Sequence, residues 1–393
     1  MRSTACLRYL LPPGAHNNYK LQAEDSFVSS ATRIKQQERA IIARHYRADD
    51  VKGLTQVFTT LAPLAGFWYA AVLSADISLW LTAAVTLLMT LFLLRAFVLM
   101  HECGHGSLFR APWLNRGFGF FFGVVSGMPQ FVWSKHHAYH HATNGNWEKY
   151  RGPLNTRSVD EFRAMTNVQQ DLYQLARNIW LAPLGGFLYL IFTPRFTWLA
   201  GSLGFAAHVL KGMVMQPSAS LGTLAAGFKT PYWNDAKEYW HMFWNNVVLL
   251  TTWVLMSLWI GPALFFSVYL ASVSLAGGAA IVIFAVQHNF EHSYAAGSEA
   301  WDNDAAAMQG TSFLVLPRWL GWFTADIAYH HIHHLSVRVP NYCLAECHTR
   351  HQDRFSGVTR IKLSQVHRSL KCILWDTDSR RIISVAEYRR QPG

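Results

Sequence analysis

The chain has 393 residues, 51% of them hydrophobic, 14% aromatic and only 15% charged, and its long apolar stretches alternate with polar segments; a soluble globular domain carries about 25% charged residues, so an ordinary soluble domain is set aside. The formal charge of +11 comes without a basic stripe interleaved with aromatics, which argues against nucleic acid and for a basic face against anionic lipid headgroups. Five cysteines (Cys6, Cys103, Cys343, Cys347, Cys372) without Cys-x-x-Cys pairing argue against a disulfide framework or a thiolate zinc site and for a reducing compartment.

In chain order, residues 1–55 read as an N-terminal segment outside the membrane, and the apolar run at 1–11 is too short for a signal peptide. About 20 apolar residues cross a bilayer, which predicts spans near 57–73 and 77–100. The apolar block 239–286 is too long for one crossing, and the turn signal Gly261-Pro262 splits it into spans near 239–260 and 264–286. Trp240, Trp244 and Trp259 suit an interfacial belt. The stretches 117–133, 179–192 and 196–210 are apolar but short or broken by Gly and Pro; they are expected as interfacial or re-entrant helices. Residues 56–350 then form the membrane domain, and 351–393 a basic tail.

Charge fixes an expected orientation. Lys and Arg number nine before the first span, twelve between the second and third and twelve after the fourth, whereas the turns 74–76 and 261–262 have none. Arg95 alone lies inside a span, near enough to its end to snorkel to the interface. The positive-inside rule places both termini and the middle segment in the cytoplasm.

Nineteen histidines include twelve in four clusters: His101 and His105; His136, His137, His140 and His141; His288 and His292; His330, His331, His333 and His334. Residues three or four apart share a helix face. That spacing gathers ten of them: His101, His105, His137, His140, His141, His288, His292, His330, His333 and His334. Imidazole suits iron, zinc and copper, and ten rings are about right for two ions. His136 and His331 fall off the spacing and are expected beside the ligands rather than on a metal. With four spans, all clusters reach one face, where a shared site requires them. The expected fold is an all-α integral membrane protein: four transmembrane helices, interfacial helices and a cytoplasmic histidine-rich di-metal cap.

The blocks HECGHGSLF at 101–109, WSKHHAYHHATNGN at 133–146, VQHNFEHSY at 286–294 and YHHIHHLSVRVPNYCLAECH at 329–348 resemble the membrane fatty acid desaturases, especially the acyl-lipid group of bacteria and cyanobacteria that includes the omega-6 enzymes. The resemblance covers roughly residues 40–350. It implies a cis double bond inserted into an acyl chain by two irons and dioxygen, with an external electron donor such as ferredoxin or cytochrome b5 and metal ligation by the ten histidines. Animal acyl-CoA desaturases carry Asn at the position matching His288. Many relatives have Asp at Glu102 and Gly-Asn at Ala325-Asp326. Asp326, one turn before His330, is expected either to accept from a ligand imidazole or to cap a helix. No His-Pro-Gly-Gly segment appears, so no fused cytochrome b5 domain is expected.

Rival functions fare less well. His101, Glu102 and His105 match the HExxH zinc protease motif literally, but that reading leaves three clusters without a task. A di-iron hydroxylase of an alkane, carotenoid or lipid would use the same chemistry with oxygen returned to the substrate. A metal transporter should place ionisable residues along a path through the spans, and these hold almost none.

Overall fold

Side chains cap the free amides at the starts of the first two long helices. Asp49 accepts from the Val51 and Lys52 amides (2.8 and 3.1 Å) and opens α1 (Asp50–Ala75). Ser78 caps α2 (Leu79–His105). The computed structural model describes residues 42–390; contacts divide the chain after Tyr46, and every element named below belongs to the unit from Arg47 onward. Next come α3 (Pro112–Ser126) and α4 (Gln130–Thr143), separated by Gly127-Met128-Pro129. A composite helix, α5 (Ile179–Met215), precedes α6 (Ala236–Ile260) and α7 (Pro262–His288), the last starting on Pro262. Two short helices, α8 (His330–Leu335) and α9 (Asn341–Arg350), complete the parts that build the site.

Among the described residues, five helices are long and apolar enough to cross a bilayer: α1, α2, α5, α6 and α7. Four match the expected spans, each extended at one or both ends beyond its apolar stretch. The extensions matter, because α2 and α7 run on through their histidines. At 1.5 Å per residue a helix of 27 residues is about 40 Å long, against a hydrocarbon core of about 30 Å. Both helices begin at a hairpin turn and end at the histidines, so the two turns lie at the end remote from the site.

The fifth helix differs from expectation. The stretches 179–192 and 196–210 are one helix, interrupted by a π turn at Leu188–Phe192. Pro194 has no N–H and leaves the Leu190 carbonyl without its helical donor. The Arg195 guanidinium supplies one, donating from Nη1 to Leu190 O (2.8 Å) and Ile191 O (3.3 Å). The chain then doubles back along α5. His208 Nε2–H donates to Leu224 O (3.0 Å), and Phe228 packs on Phe205. Asp235, the cap of α6, accepts from Lys135 of α4 (3.0 Å). The return brings the chain back to the histidine end before α6 begins.

Arg95 also departs from expectation. It does not reach the interface: it is buried, with Nε donating to Thr60 Oγ1 (3.1 Å), Nη2 to Gln56 Oε1 (2.9 Å) and Nη1 to Trp322 O, its guanidinium 3.9 Å from the Trp322 ring centroid. These partners sit beside it on α1 and on the short helix Arg318–Phe323.

The core packs α1, α2, α3 and α7 through residues such as Met89, Leu99, Phe122 and Val273. Beyond α7, β1 (Arg157–Ser158), β4 (Cys372–Asp376) and β5 (Arg381–Ser384) form one small sheet, and β2 (Ser312–Val315) pairs in parallel with β3 (Thr359–Lys362). Residues 359–384, expected in a basic tail, thus supply three strands. Ser312 Oγ donates to Val286 O (2.9 Å) and Leu314 N to Ala328 O (3.2 Å), which ties the end of α7 to the start of α8.

Candidate metal centre

Four helix ends deliver imidazoles to one place. On α2, His101 and His105 lie one turn apart with Nε2 atoms 3.3 Å from each other. Gly104 lets α4 approach: a Cβ there would stand 2.4 Å from Ser134 Oγ. On α4, the Nε2 atoms of His137 and His141 are 3.0 Å apart, and His141 Nε2 is 3.1 Å from His333 Nε2. His140 Nε2 is 3.2 Å from His334 Nε2, and His288 Nε2 is 2.9 Å from His330 Nε2.

These nitrogens sort into two groups, His101, His105, His137, His141 and His333 in one and His140, His288, His330 and His334 in the other, with ligand atoms within 4.8 Å of one another in each group. Spacing explains the division. Each pair at i, i+4 (101 and 105, 137 and 141, 330 and 334) serves a single group, and the ring between (His140, His333) turns to the other. The groups adjoin, since His141 stacks on His334 with centroids 4.1 Å apart.

Tautomers follow from the outer nitrogens. Glu102, fully buried, can only accept as a carboxylate, so His101 Nδ1–H donates to its Oε1 (3.0 Å). His288 Nδ1–H donates to Gly310 O (3.2 Å). In both rings the Nε2 lone pair then faces its group. Burial, and after it the neighbouring imidazoles, hold His137, His140, His141, His330, His333 and His334 well below the usual histidine range, which keeps them neutral. Nine converging imidazoles form a donor set that fits two transition-metal ions. One proton shared between two rings cannot satisfy a nitrogen such as His141 Nε2, which faces two others.

The tenth expected ligand stands apart. Helix α7 ends at His288, so His292 loses the i, i+4 relation, lies exposed on the following turn and joins neither group. His136 is exposed on α4 and lines a cavity rather than either group. His331 is buried on the opposite face of α8, its Nε2 3.0 Å from Nδ1 of His348, itself buried although isolated in sequence. Asp326 neither accepts from an imidazole among the described residues nor caps α8, whose N-cap is Tyr329. It sits with Ala325 in a left-handed turn (φ 57° and 45°) near Arg95 and Arg318; burial raises its carboxyl above the usual range.

Sequence reasoning missed Glu102 as the residue that orients His101. Its other oxygen accepts from Ser107 Oγ (2.9 Å) and the Asn341 amide (3.2 Å) of α9. A carboxylate fixed by two outside donors and held against a ligand ring is the usual carboxylate–histidine–metal arrangement; its adjacency to His101 was the one available signal.

A cavity of about 460 Å³ opens beside the histidines. Its wall is mainly apolar, from Leu94 and Phe97 of α2, Ile281 and Phe284 of α7 and Leu190 of α5, with His101, His137, His140 and His330 at one end. Of the stretch 117–133, Trp133 alone lines the cavity; it stacks on His137 (centroids 4.5 Å, 14°).

Comparison with known proteins agrees with this site. A family model described as "Fatty acid desaturase" matches residues 78–363, a range holding every histidine of both groups. The chain is 31% identical over 353 residues to a protein named "Fatty acid desaturase" from Bacillus subtilis (strain 168), covering 89% of this chain and 91% of that protein. It is 24% identical over 307 residues, 77% of each chain, to an "sn-1 oleoyl-lipid 12-desaturase" of Picosynechococcus sp.. A protein of the same name from Anabaena variabilis is 21% identical over 338 residues, 83% of this chain and 85% of that one.

Proposed function

This chain belongs to the fatty acid desaturase family, and from that membership we propose that it removes two hydrogens from adjacent methylenes of a lipid acyl chain in the membrane, leaving a cis double bond. The observation that carries the reading is the placement of two all-histidine groups against the end of a mainly apolar cavity. Relatives named as oleoyl-lipid 12-desaturases support an acyl-lipid substrate and an omega-6 type of product.

No side chain oxidises an unactivated methylene; the nine histidines would hold two irons, which would supply that power toward dioxygen. The balance requires an external donor. One dioxygen takes two hydrogens from the chain, plus two electrons and two protons from outside, and ends as two waters. The protein's own residues do the rest. Glu102 and the Gly310 carbonyl hold His101 and His288 with lone pairs inward. Trp133 braces His137, and the apolar wall binds the chain and excludes water. Ferredoxin or cytochrome b5 is the donor, docking on the basic cytoplasmic face that the charge asymmetry assigns to the histidine end.

Expression in a host that makes monounsaturated but no polyunsaturated chains tests this. Gas chromatography with mass spectrometry of the membrane lipids should show a new diunsaturated chain. Hydroxylated chains in its place would overturn the desaturase outcome, and unchanged lipids with an intact donor system would overturn the substrate.

A further inference from the structure

Part of the cavity wall is formed by an irregular stretch of helix, the π turn Leu188–Phe192 of α5, and a charged residue holds it. Arg195 makes a complete fork. Nη1 donates to the Leu190 and Ile191 carbonyls and to Gly127 O, Nη2 to Asn245 Oδ1 (2.9 Å) and Nε to Asn246 Oδ1 (2.9 Å). All of these partners are neutral oxygens. Gly127 O belongs to the C-cap of α3, where the helix dipole is negative and favours a cation. A guanidinium set among helices is costly to desolvate, and Pro194 explains only one of the carbonyls it meets.

What the fork holds in place faces the site. Tyr189 and Leu190 both line the cavity. The Tyr189 hydroxyl accepts from Trp133 Nε1 (2.7 Å), and Trp133 is the ring stacked on His137. Leu190 lies against Gly277 of α7, where a Cβ would stand 2.9 Å from Leu190 Cδ1. Gly277 precedes His288 by eleven residues, about 16 Å along the helix. The broken turn therefore forms a wall that reaches from beside His137 to a point well inside the membrane.

We propose that Arg195 is a positioning residue: by holding the turn Leu188–Phe192 it fixes Tyr189 and Leu190 in the cavity wall, and so sets which methylenes of the acyl chain lie against the histidine groups. The inference rests on the desaturase reading and adds to it the element that determines the position of the double bond. An unbroken helix would turn Leu190 and Tyr189 by part of a turn and release Trp133.

The test is product position, which a purely structural residue would not change. Arg195→Gln, Arg195→Lys, Tyr189→Phe and Leu190→Ala are expressed beside the wild type, and the double bonds are located by mass spectrometry of derivatised chains. Each variant should raise the ratio of displaced to normal double bonds by about fourfold or more, the effect of roughly one methylene of altered apolar contact. Arg195→Lys keeps the charge without the fork and should shift the ratio too. Variants that lose yield but keep the wild-type distribution would overturn the proposal. If Arg195→Gln fails to accumulate, Tyr189→Phe and Leu190→Ala decide, and wild-type distributions from both would overturn it. Hydroxylated chains from the wild type would sink the underlying reading instead; the hydroxyl position then tests the wall in the same way.

Discussion

At the scale of residues, the two groups depend on which nitrogen each ring presents. The i, i+4 spacing was readable in sequence, and nine of ten expected ligands meet. The division of the rings between two groups was not readable, because it requires the crossing of α4 and α8. His292 stands apart from both groups for a local reason: spacing implies a shared face only while the helix lasts, and α7 ends at His288. His292→Ala should accordingly keep turnover within a few-fold of wild type, whereas His140→Ala and His333→Ala abolish product while the protein still accumulates in the membrane; abolition by His292→Ala would restore it as a ligand. Glu102 makes a separate prediction. Glu102→Gln no longer offers His101 a charged acceptor and should lower metal retention or turnover by about 10- to 100-fold. Metal content and activity equal to wild type would refute its role.

Among elements, apolar length located four helices but stopped short of their functional ends, since polar histidines and Glu102 mask continued helix. Proline misled at α5. Pro194 reads as a break, yet a π turn and the Arg195 fork carry the helix through it. The pair Ala325-Asp326 shows the reverse case. Both residues are left-handed, the conformation that Gly and Asn adopt most readily, and Asp326 belongs to neither histidine group. The crossing of α5 and α7 is set by Gly186, where a Cβ would stand 2.4 Å from the Gly278 amide nitrogen and 2.5 Å from Ser274 O. Gly186→Leu should destabilise detergent-purified protein by about 1–3 kcal/mol through overpacking, read as a lower unfolding midpoint. Gly66→Leu on α1, with open space around it, should change the midpoint little. Equal midpoints for both variants would show that the close crossing does not matter.

For the whole molecule, the direction of α2 and α7 and the return of the chain after α5 place both hairpin turns opposite the histidines. By the positive-inside rule, the lack of Lys and Arg in those turns predicts that they lie outside. Ser74 is buried, so Asp76, exposed beside it, is the better probe. In intact cells Asp76→Cys should react with an impermeant thiol reagent and Asp160→Cys, exposed at the histidine end, should not; the reverse pattern would invert the orientation and move the electron donor to the other side. The central claim is that nine histidines build two metal centres rather than one. Iron measured per chain on active, anaerobically purified protein tests it most directly. Two equivalents are expected in the wild type and one in His330→Ala, which removes a ligand from the four-histidine group alone. A fully active wild type that saturates at one equivalent, or that works with zinc, would contradict the account.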